Sequence, residues 1–359
     1  MDLFARVAVL GLLVERFELQ GLEQRVSSDF ARLTTVVCLH GGGKTGVGED
    51  VTWGDAEQLA FRAGPPEIPP GQYTLESFSE ALAGVDLFPA EAPKVPEWRY
   101  YRSWAFESAA LDLALRQAGR SLAEALGRRP APVRFVVSLR LGDPPSAAPV
   151  RRLLQLYPGT RFKLDPTVDW DDALVAELAA TGAVETLDLK SAYRGAWGAQ
   201  PPDPALYGRL VSAFPDAWIE DPNLDEPATA EVLRLQPERV TWDAVIHSAD
   251  DVEALPFPPR ALNSKPSRFG SVRAVFDFYD YCAEQGIGLY GGGQFELGPG
   301  RGQIRALASL LHPEAPNDVA PGGYDVPAPG PGLETSPLEP LLEPSGFGRL
   351  QDTPGRRSV

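Results

Sequence analysis

The chain has 359 residues, 43% of them hydrophobic, with 49 acidic against 33 basic side chains and a formal charge of −16. That length accommodates two domains, or one barrel with an attached domain. The negative balance argues against nucleic acid and against an anionic membrane surface, both of which favour a basic face. An anionic small molecule stays admissible, because a metal ion with local Lys or Arg can invert the field at one site.

Two cysteines, Cys38 and Cys282, make no disulfide framework and suit a reducing cytosol, so the expected localisation is cytoplasmic. No apolar run approaches the roughly 20 residues of a membrane span. The opening MDLFARVAVLGLLVERF lacks the n-region and cleavage site of a signal peptide and reads as a first strand. Residues 1–60 continue as strands, VAVLGLLVERFEL and LTTVVCLHGG around polar RVSSDFAR, then GVGEDVTW after a Gly-rich turn. Segment 41–46 reads either as a hairpin turn or as a mobile loop closing over a site. LHGGGKTG fails as a phosphate loop, because Cys38 stands where a Walker motif needs Gly. Residues 60–100 are loop-rich. WAFESAALDLALRQAGRSLAEALG (104–127) then repeats Ala and Leu at helical spacing, with Gly127 as its stop. The opening block is therefore α+β.

From about residue 132 strands and helices alternate. FVVSLRL, RFKLD, VETLDL, AWIED, VTWDAVI, RALNSKP and GLYGGGQFEL each precede a helical stretch. Seven strand–helix pairs imply a parallel sheet, and the count favours a closed barrel over an open doubly wound sheet. Gly159, Gly182 and Gly286 suit left-handed residues after helix ends. From residue 321 Pro and Gly prevent regular structure throughout. Leu333, Leu338, Leu341, Leu342 and Phe347 suggest that much of this tail lies on the first domain, and QDTPGRRSV reads as a frayed end.

A charged residue closes the apolar run in five successive units: Lys163 in TRFKLDP, Asp188 in VETLDLK, Glu220 in AWIEDP, Asp243 in RVTWDAV and Lys265 in ALNSKPS. The gaps are 25, 32, 23 and 22 residues by subtraction of these numbers. A βα unit of an eightfold barrel takes roughly 31 residues. These side chains would therefore converge at the carboxyl ends of successive strands. Three carboxylates between two amines suggest a divalent-metal site with two proton carriers.

In this order the residues resemble the enolase superfamily, in its muconate-lactonising and o-succinylbenzoate-synthase-like branch. The likeness extends over nearly the whole chain. SAALDLALRQAGRSLAEALG resembles the helix of the capping domain, WIEDP is the most specific short match, SKPSRFGSV resembles the sixth-strand lysine motif, and GGGQFELGPGRGQ resembles the seventh-strand segment. The resemblance implies a TIM-type (β/α)7β barrel over 129–325. It implies an α+β N-terminal capping domain over 1–128, completed by a C-terminal tail over 326–359. Asp188, Glu220 and Asp243 would ligate Mg²⁺, with Mn²⁺ as the other admissible hard cation. Lys163 and Lys265 would be the acid–base pair on opposite faces of the α-carbon of a small-molecule carboxylate. Loss of the α-proton would give an enediolate, the general pattern of this superfamily.

Three positions, Arg161, Lys190 and Ala244, depart from the family pattern. Its Lys-x-Lys appears as Arg161-x-Lys163, and Arg161 with the metal is expected to bring the Lys163 pKa down to roughly 7–8. The other register, Lys163-x-Asp165, would put an acid at the catalytic position. Lys190 stands where the family commonly has Asn. It would grip a second substrate anion, act as an extra acid, or pair structurally with Asp165 or Glu220. Ala244 replaces a Glu, and with Asp221 beside Glu220 the third metal ligand is the least fixed. Glu296 is expected as an outer partner of Lys265, and Gly291 to Gly293 as backbone approaching a ligand.

Of the three histidines (His40, His247, His312) none falls in the seventh-strand segment, which disfavours a sugar-acid dehydratase. The favoured outcome is an o-succinylbenzoate-synthase-like dehydration. Racemisation or epimerisation, cycloisomerisation, and a catalytically retired barrel kept for binding are the alternatives. Specificity would come from segments 21–32 and 41–48. Barrels of this kind often associate, so a homo-oligomer is also admitted.

Overall fold

The computed structural model describes residues 2–26, 30–191, 200–324, 326 and 329–348, with the backbone of 357 and 358. The chain opens with a helical turn, α1 (Ala5–Ala8), where the sequence reads as strand. It continues through β1 (Gly11–Val14), β2 (Arg16–Arg25), β3 (Ala31–Gly41), β4 (Lys44–Asp50), α2 (Asp55–Ala63), β5 (Gly71–Thr74) and α3 (Leu75–Ala83). β2, β3 and β4 form an antiparallel meander, and β1 pairs antiparallel with β5. The β3–β4 turn is Gly42-Gly43, with φ of 56° and 70°, the mirror-image turn that matches strand twist. Of the two readings of 41–46, the hairpin is formed. Its Gly41 carbonyl accepts from the Gln117 side chain at 3.0 Å. Residues 27–29 of the expected specificity segment lie outside the described residues.

Where the sequence reads one helix over 104–127, two form: α4 (Trp98–Gln117) and α5 (Leu122–Leu126). The break has a local cause. Gly119 adopts φ of 63°, and Ser121 with Glu124 makes a reciprocal capping box that starts a new helix. Gly127 ends α5 in the left-handed region, as the sequence suggests. Ala105, Ala109, Ala110 and Ala114 let the middle of α4, residues 104–115, lie buried against β4. The strand answers with glycines. A Cβ on Gly46 would fall 2.2 Å from the Ala109 carbonyl oxygen, and one on Gly48 2.0 Å from that of Ala105. Helix and strand thus meet backbone to backbone.

The second unit runs β6 (Val137–Leu139), α6 (Ala148–Leu156), β7 (Phe162–Leu164), α7 (Asp172–Ala180), β8 (Val184–Asp188), α8 (Pro204–Ala213), β9 (Trp218–Glu220), α9 (Pro227–Leu233), β10 (Val240–Thr241), α10 (Ala249–Glu253), β11 (Ala261–Ser264), α11 (Pro266–Phe269), α12 (Val272–Gln285), β12 (Gly288–Gly291) and α13 (Pro299–Leu311). All seven expected strand–helix pairs are present, with α11 as an added turn. The architecture is mixed α/β, with parallel strands in two segments. β6 to β10 lie side by side in chain order, and β11 pairs with β12. Asn263 N–H donates to the Trp242 carbonyl at 3.0 Å, linking the segments. Gly182 and Gly286 are left-handed as expected, but Gly159 is not among the positive-φ residues. There α6 has already ended before Pro158, which disfavours a helical Tyr157.

The tail touches both units, not the first alone. Leu338 bridges to Val133, and the Tyr157 hydroxyl donates to the Gly330 carbonyl at 2.5 Å. Gly346 then bridges to Ser121, and Phe347 packs edge-on against Trp104.

Three buried charges join the units. Arg32 donates to the carbonyls of Val51 and Thr52 in the first and of Gln294 in the second, at 2.6, 2.9 and 3.0 Å. Glu49 accepts the N–H groups of Leu297, Gly298 and Gly300, the start of α13, where the helix dipole favours an anion. Glu107 on α4 accepts Val272 N–H at 3.1 Å, the first residue of α12, and the Ser79 hydroxyl.

Two predictions follow from this packing. Gly48→Val should cost at least about 2 kcal/mol of stability in urea unfolding, because the added side chain overpacks a backbone contact. Burial pushes the Glu107 carboxyl up to about 7. Between its ordinary pKa and that value the folded chain holds a proton the unfolded chain has lost, so this group's contribution to stability falls as pH rises across the window. Glu107→Gln should flatten that slope. Melting curves of variant and parent that stay parallel from pH 5 to pH 7.5 would refute the assignment.

Candidate active site

The carboxyl ends of the parallel strands carry the charged residues singled out above. Lys163 is the middle residue of β7, Asp188 and Glu220 close β8 and β9, Asp243 follows β10, and Lys265 follows β11. Asp188 and Glu220 are register partners, which brings their side chains to one face of the sheet. All five are buried.

Their contacts fall in two groups, one around Asp188 and Glu220 and one around Asp243. Lys163 Nζ donates to Glu220 Oε1 and lies 3.1 Å from Asp188 Oδ2. Lys190 Nζ meets the same Asp188 Oδ2 at 2.5 Å and Asp165 Oδ1 at 3.4 Å. Lys265 Nζ donates to Asp243 Oδ2 at 2.6 Å, and Arg268 Nη2 stands 3.4 Å from that oxygen. The Tyr290 hydroxyl donates to Glu220 Oε2 at 2.5 Å and lies 3.2 Å from Thr241 Oγ1. Asp221 sits in the left-handed region at φ of 49°, which turns its carboxylate back to accept the N–H groups of Asp243 and Ala244 at 2.9 and 3.0 Å.

Burial dominates the electrostatics, and the ion pairs then decide its direction. Burial alone would raise Asp188, but the Lys163 and Lys190 ammonium groups hold it well below the usual carboxylate range. Asp243 is likewise depressed against burial, by Arg268 and Lys265. Burial and neighbouring carboxylates push Glu220 up to about 8 against the pull of Lys163, and Asp221 to about 6 against its hydrogen bonds from the Asp243 and Ala244 N–H groups. Burial would lower Lys163, yet Asp188 and Glu220 hold it well above the ordinary lysine value. These carboxylates thus act on Lys163 in the opposite sense to the cation and metal expected to depress it.

Two other expectations need correction. Arg161 does not flank Lys163. It is 45% exposed, donates to the Gly182 carbonyl and lies 3.6 Å from Glu185. The alternation that would have put both cations on one face begins only at Phe162, and the pairing of β7 with β8 shifts register between Phe162 and Lys163. Glu296 turns into its own loop, accepting Gln294 N–H at 2.8 Å, while Lys265 is met by Asp243.

Among the described residues, ligand oxygens of Asp188, Glu220 and Asp221 lie within 4.8 Å of one another. An all-oxygen, carboxylate-rich set of this kind fits a hard divalent cation such as Mg²⁺. The third acid of that group is Asp221, whereas the expected Asp243 faces two cations. Asp221 was legible as the neighbour of Glu220 in WIEDP, but its left-handed backbone was not. Tyr290 and Arg268 were assigned no role in advance, although Arg268 lies within SKPSRFGSV. A tyrosine on a glycine-rich buried strand still needs a partner for its hydroxyl, which is a usable signal. Tyr290→Phe should cost about 1–3 kcal/mol in chemical denaturation, the price of one buried carboxylate oxygen left without its donor. An unchanged midpoint would count against the contact.

Residues 5–125 match the N-terminal domain, and 129–326 the C-terminal domain, of a family described as a domain of unknown function, DUF8230. An N-succinylamino acid racemase from Amycolatopsis sp is 28% identical over 295 residues, covering 73% of this chain and 77% of that protein. An o-succinylbenzoate synthase from Geobacillus kaustophilus is 27% identical over 230 residues, covering 61% of this chain and 59% of that protein. Among solved structures, a dipeptide epimerase from Methylococcus capsulatus complexed with Mg ion superposes with a TM-score of 0.69 at 20% identity, covering 94% of this chain and 99% of that one. Further solved neighbours are described as muconate cycloisomerases or enolase-superfamily members. No helix among the described residues is long and apolar enough to cross a membrane. The chain belongs to the DUF8230 family, and the curated relatives it resembles are named as a racemase and a synthase.

Proposed function

We propose that this protein is a Mg²⁺-dependent enzyme that removes a proton α to the carboxylate of a small molecule. The observation that carries the reading is the buried row of Asp188, Glu220 and Asp243 with an ammonium group near either end, Lys163 on the first two and Lys265 on the third. Asp188, Glu220 and Asp221 or Asp243 would hold the ion. A bound Mg²⁺ supplies an electrophile for the substrate carboxylate, easing the charge that builds as the α-proton departs. Lys163 and Lys265 approach from separate carboxylates, so one can take the proton and the other can return one, or protonate a leaving group. Tyr290 fixes the second oxygen of Glu220, and Asp221 fixes the backbone that carries Asp243. We also read the two parallel segments as one closed barrel, supported by the Asn263–Trp242 hydrogen bond and by Gly291 and Val136 meeting through Asn317.

Among specific reactions, an o-succinylbenzoate-synthase-like dehydration is favoured by the KPSRFGS segment and by the synthase relative. Racemisation of an N-acyl amino acid is the second reading, supported by the racemase that aligns over 73% of the chain. Deuterium incorporation from D₂O into a panel of N-succinyl amino acids, dipeptides and the cyclohexadiene precursor separates them. Exchange should vanish with EDTA and return with Mg²⁺. Lys163→Ala and Lys265→Ala should each lower it by about 10²–10⁴, the usual loss for a general acid or base. Exchange that survives both substitutions would end the proposal.

A further inference from the structure

Lys190 is the residue of this set whose contacts are hardest to reconcile with a simple ligand shell. Its Nζ lies 2.5 Å from Asp188 Oδ2, the oxygen that Lys163 also approaches at 3.1 Å. Its own backbone N–H occupies Asp188 Oδ1 at 3.1 Å. Both oxygens of one candidate metal ligand are therefore engaged by donors, and one carries two ammonium groups. Lys190 holds this position from a left-handed backbone, φ of 49°, which costs a non-glycine residue energy and so requires compensating contacts. A second carboxylate stands within its reach. Asp165 Oδ1 is 3.4 Å from the same Nζ, and Arg140 holds the other oxygen of Asp165 at 3.0 Å. The Asp165 carboxylate is thus anchored on one side and faces Lys190 on the other.

We infer that Lys190 is a built-in competitor for the metal, which leaves Asp188 for Asp165 when a divalent cation binds. The inference rests on the reading of Asp188 as a ligand. Its physical content is that entry of the cation must displace an ammonium group from Asp188 Oδ2, and that Asp165 is the anion that receives it. Lys190 then sets the working range of Mg²⁺ concentration, and Asp165 keeps the exchange cheap. The two side chains should act on Mg²⁺ affinity with opposite signs and through each other.

Calorimetric titration of the purified full chain with MgCl₂ tests this, with circular dichroism and melting in EDTA as the folding control. Lys190→Met should tighten the Mg²⁺ Kd about tenfold, and Lys190→Gln should move it the same way. Asp165→Asn should weaken the Kd by a similar factor in the parent, and by less than about twofold in the Lys190→Met background, the signature of direct coupling. Equal weakening in both backgrounds would mean that Asp165 acts only as a nearby charge, and would overturn the exchange. Parent and Lys190→Met binding Mg²⁺ alike would overturn the competition while leaving the proposed function intact. Absence of Mg²⁺ heat in parent and in both Lys190 variants would bring down the proposed function and this inference together. Binding by the variants alone would support the competition strongly.

Discussion

Five carboxylates, those of Asp165, Asp188, Glu220, Asp221 and Asp243, crowd the ends of neighbouring parallel strands, and their mutual repulsion is the constraint that organises this region. Adjacent strands stand only about 4.8 Å apart, too close for buried like charges to coexist without compensation. The chain answers with Lys163, Lys190, Lys265 and Arg268, each on at least one of those acids. Backbone N–H groups absorb the rest, as at Asp221. The outcome is a set in which two acids, Asp188 and Asp243, are held ionised and three, Asp165, Glu220 and Asp221, are pushed toward their protonated forms. Removing one partner from such a set costs more than the pair is worth, because a bare charge stays behind. That is why chemistry and stability cannot be varied independently at these positions.

The first unit solves a different problem with backbone instead of charge. The buried middle of a helix must find neighbours on every side, and that of α4 does so by carrying alanines where it meets β4 and by meeting glycines there. The contact is closer than side-chain interdigitation allows. It explains why GVGED, a poor strand by propensity, is nevertheless strand: tertiary contact overrides the local cost of glycine.

Most of the architecture was legible because it rests on local signals. Seven apolar runs, each followed by a helical period, mark the parallel unit, and in five of them a charged residue lies at or near the carboxyl end of the strand. The failures have equally local causes. The sequence of α1 has strand composition, and only its packing makes it helical. The α4–α5 break was written in Gly119 and the Ser121–Glu124 box, and continuous Ala–Leu periodicity masked it. Arg161 and Lys163 are two apart, but that spacing carries meaning only inside a pleat, and the pleat starts between them. The pairing of Lys190 with Asp165 was one of several open readings and that with Asp188 was not among them, since a lysine's reach cannot be read from its position. Tyr290 and Arg268 belong to the set only through contacts between residues 25 to 70 positions apart.

The joint made by Arg32 and Glu49 bears on how a small molecule could reach the buried carboxylates. The guanidinium of Arg32 is stacked on Trp53 at 4.1 Å while gripping carbonyls from both halves of the molecule. Glu49 is clasped by the amides of Leu297, Gly298 and Gly300 at the head of α13. A clamshell motion would have to break the Arg32–Gln294 bond and every Glu49–amide bond at once and leave a desolvated carboxylate behind. Traffic in and out must instead use short peripheral segments that yield without disturbing this rivet, leaving the frame around the reacting atoms stiff throughout a turnover.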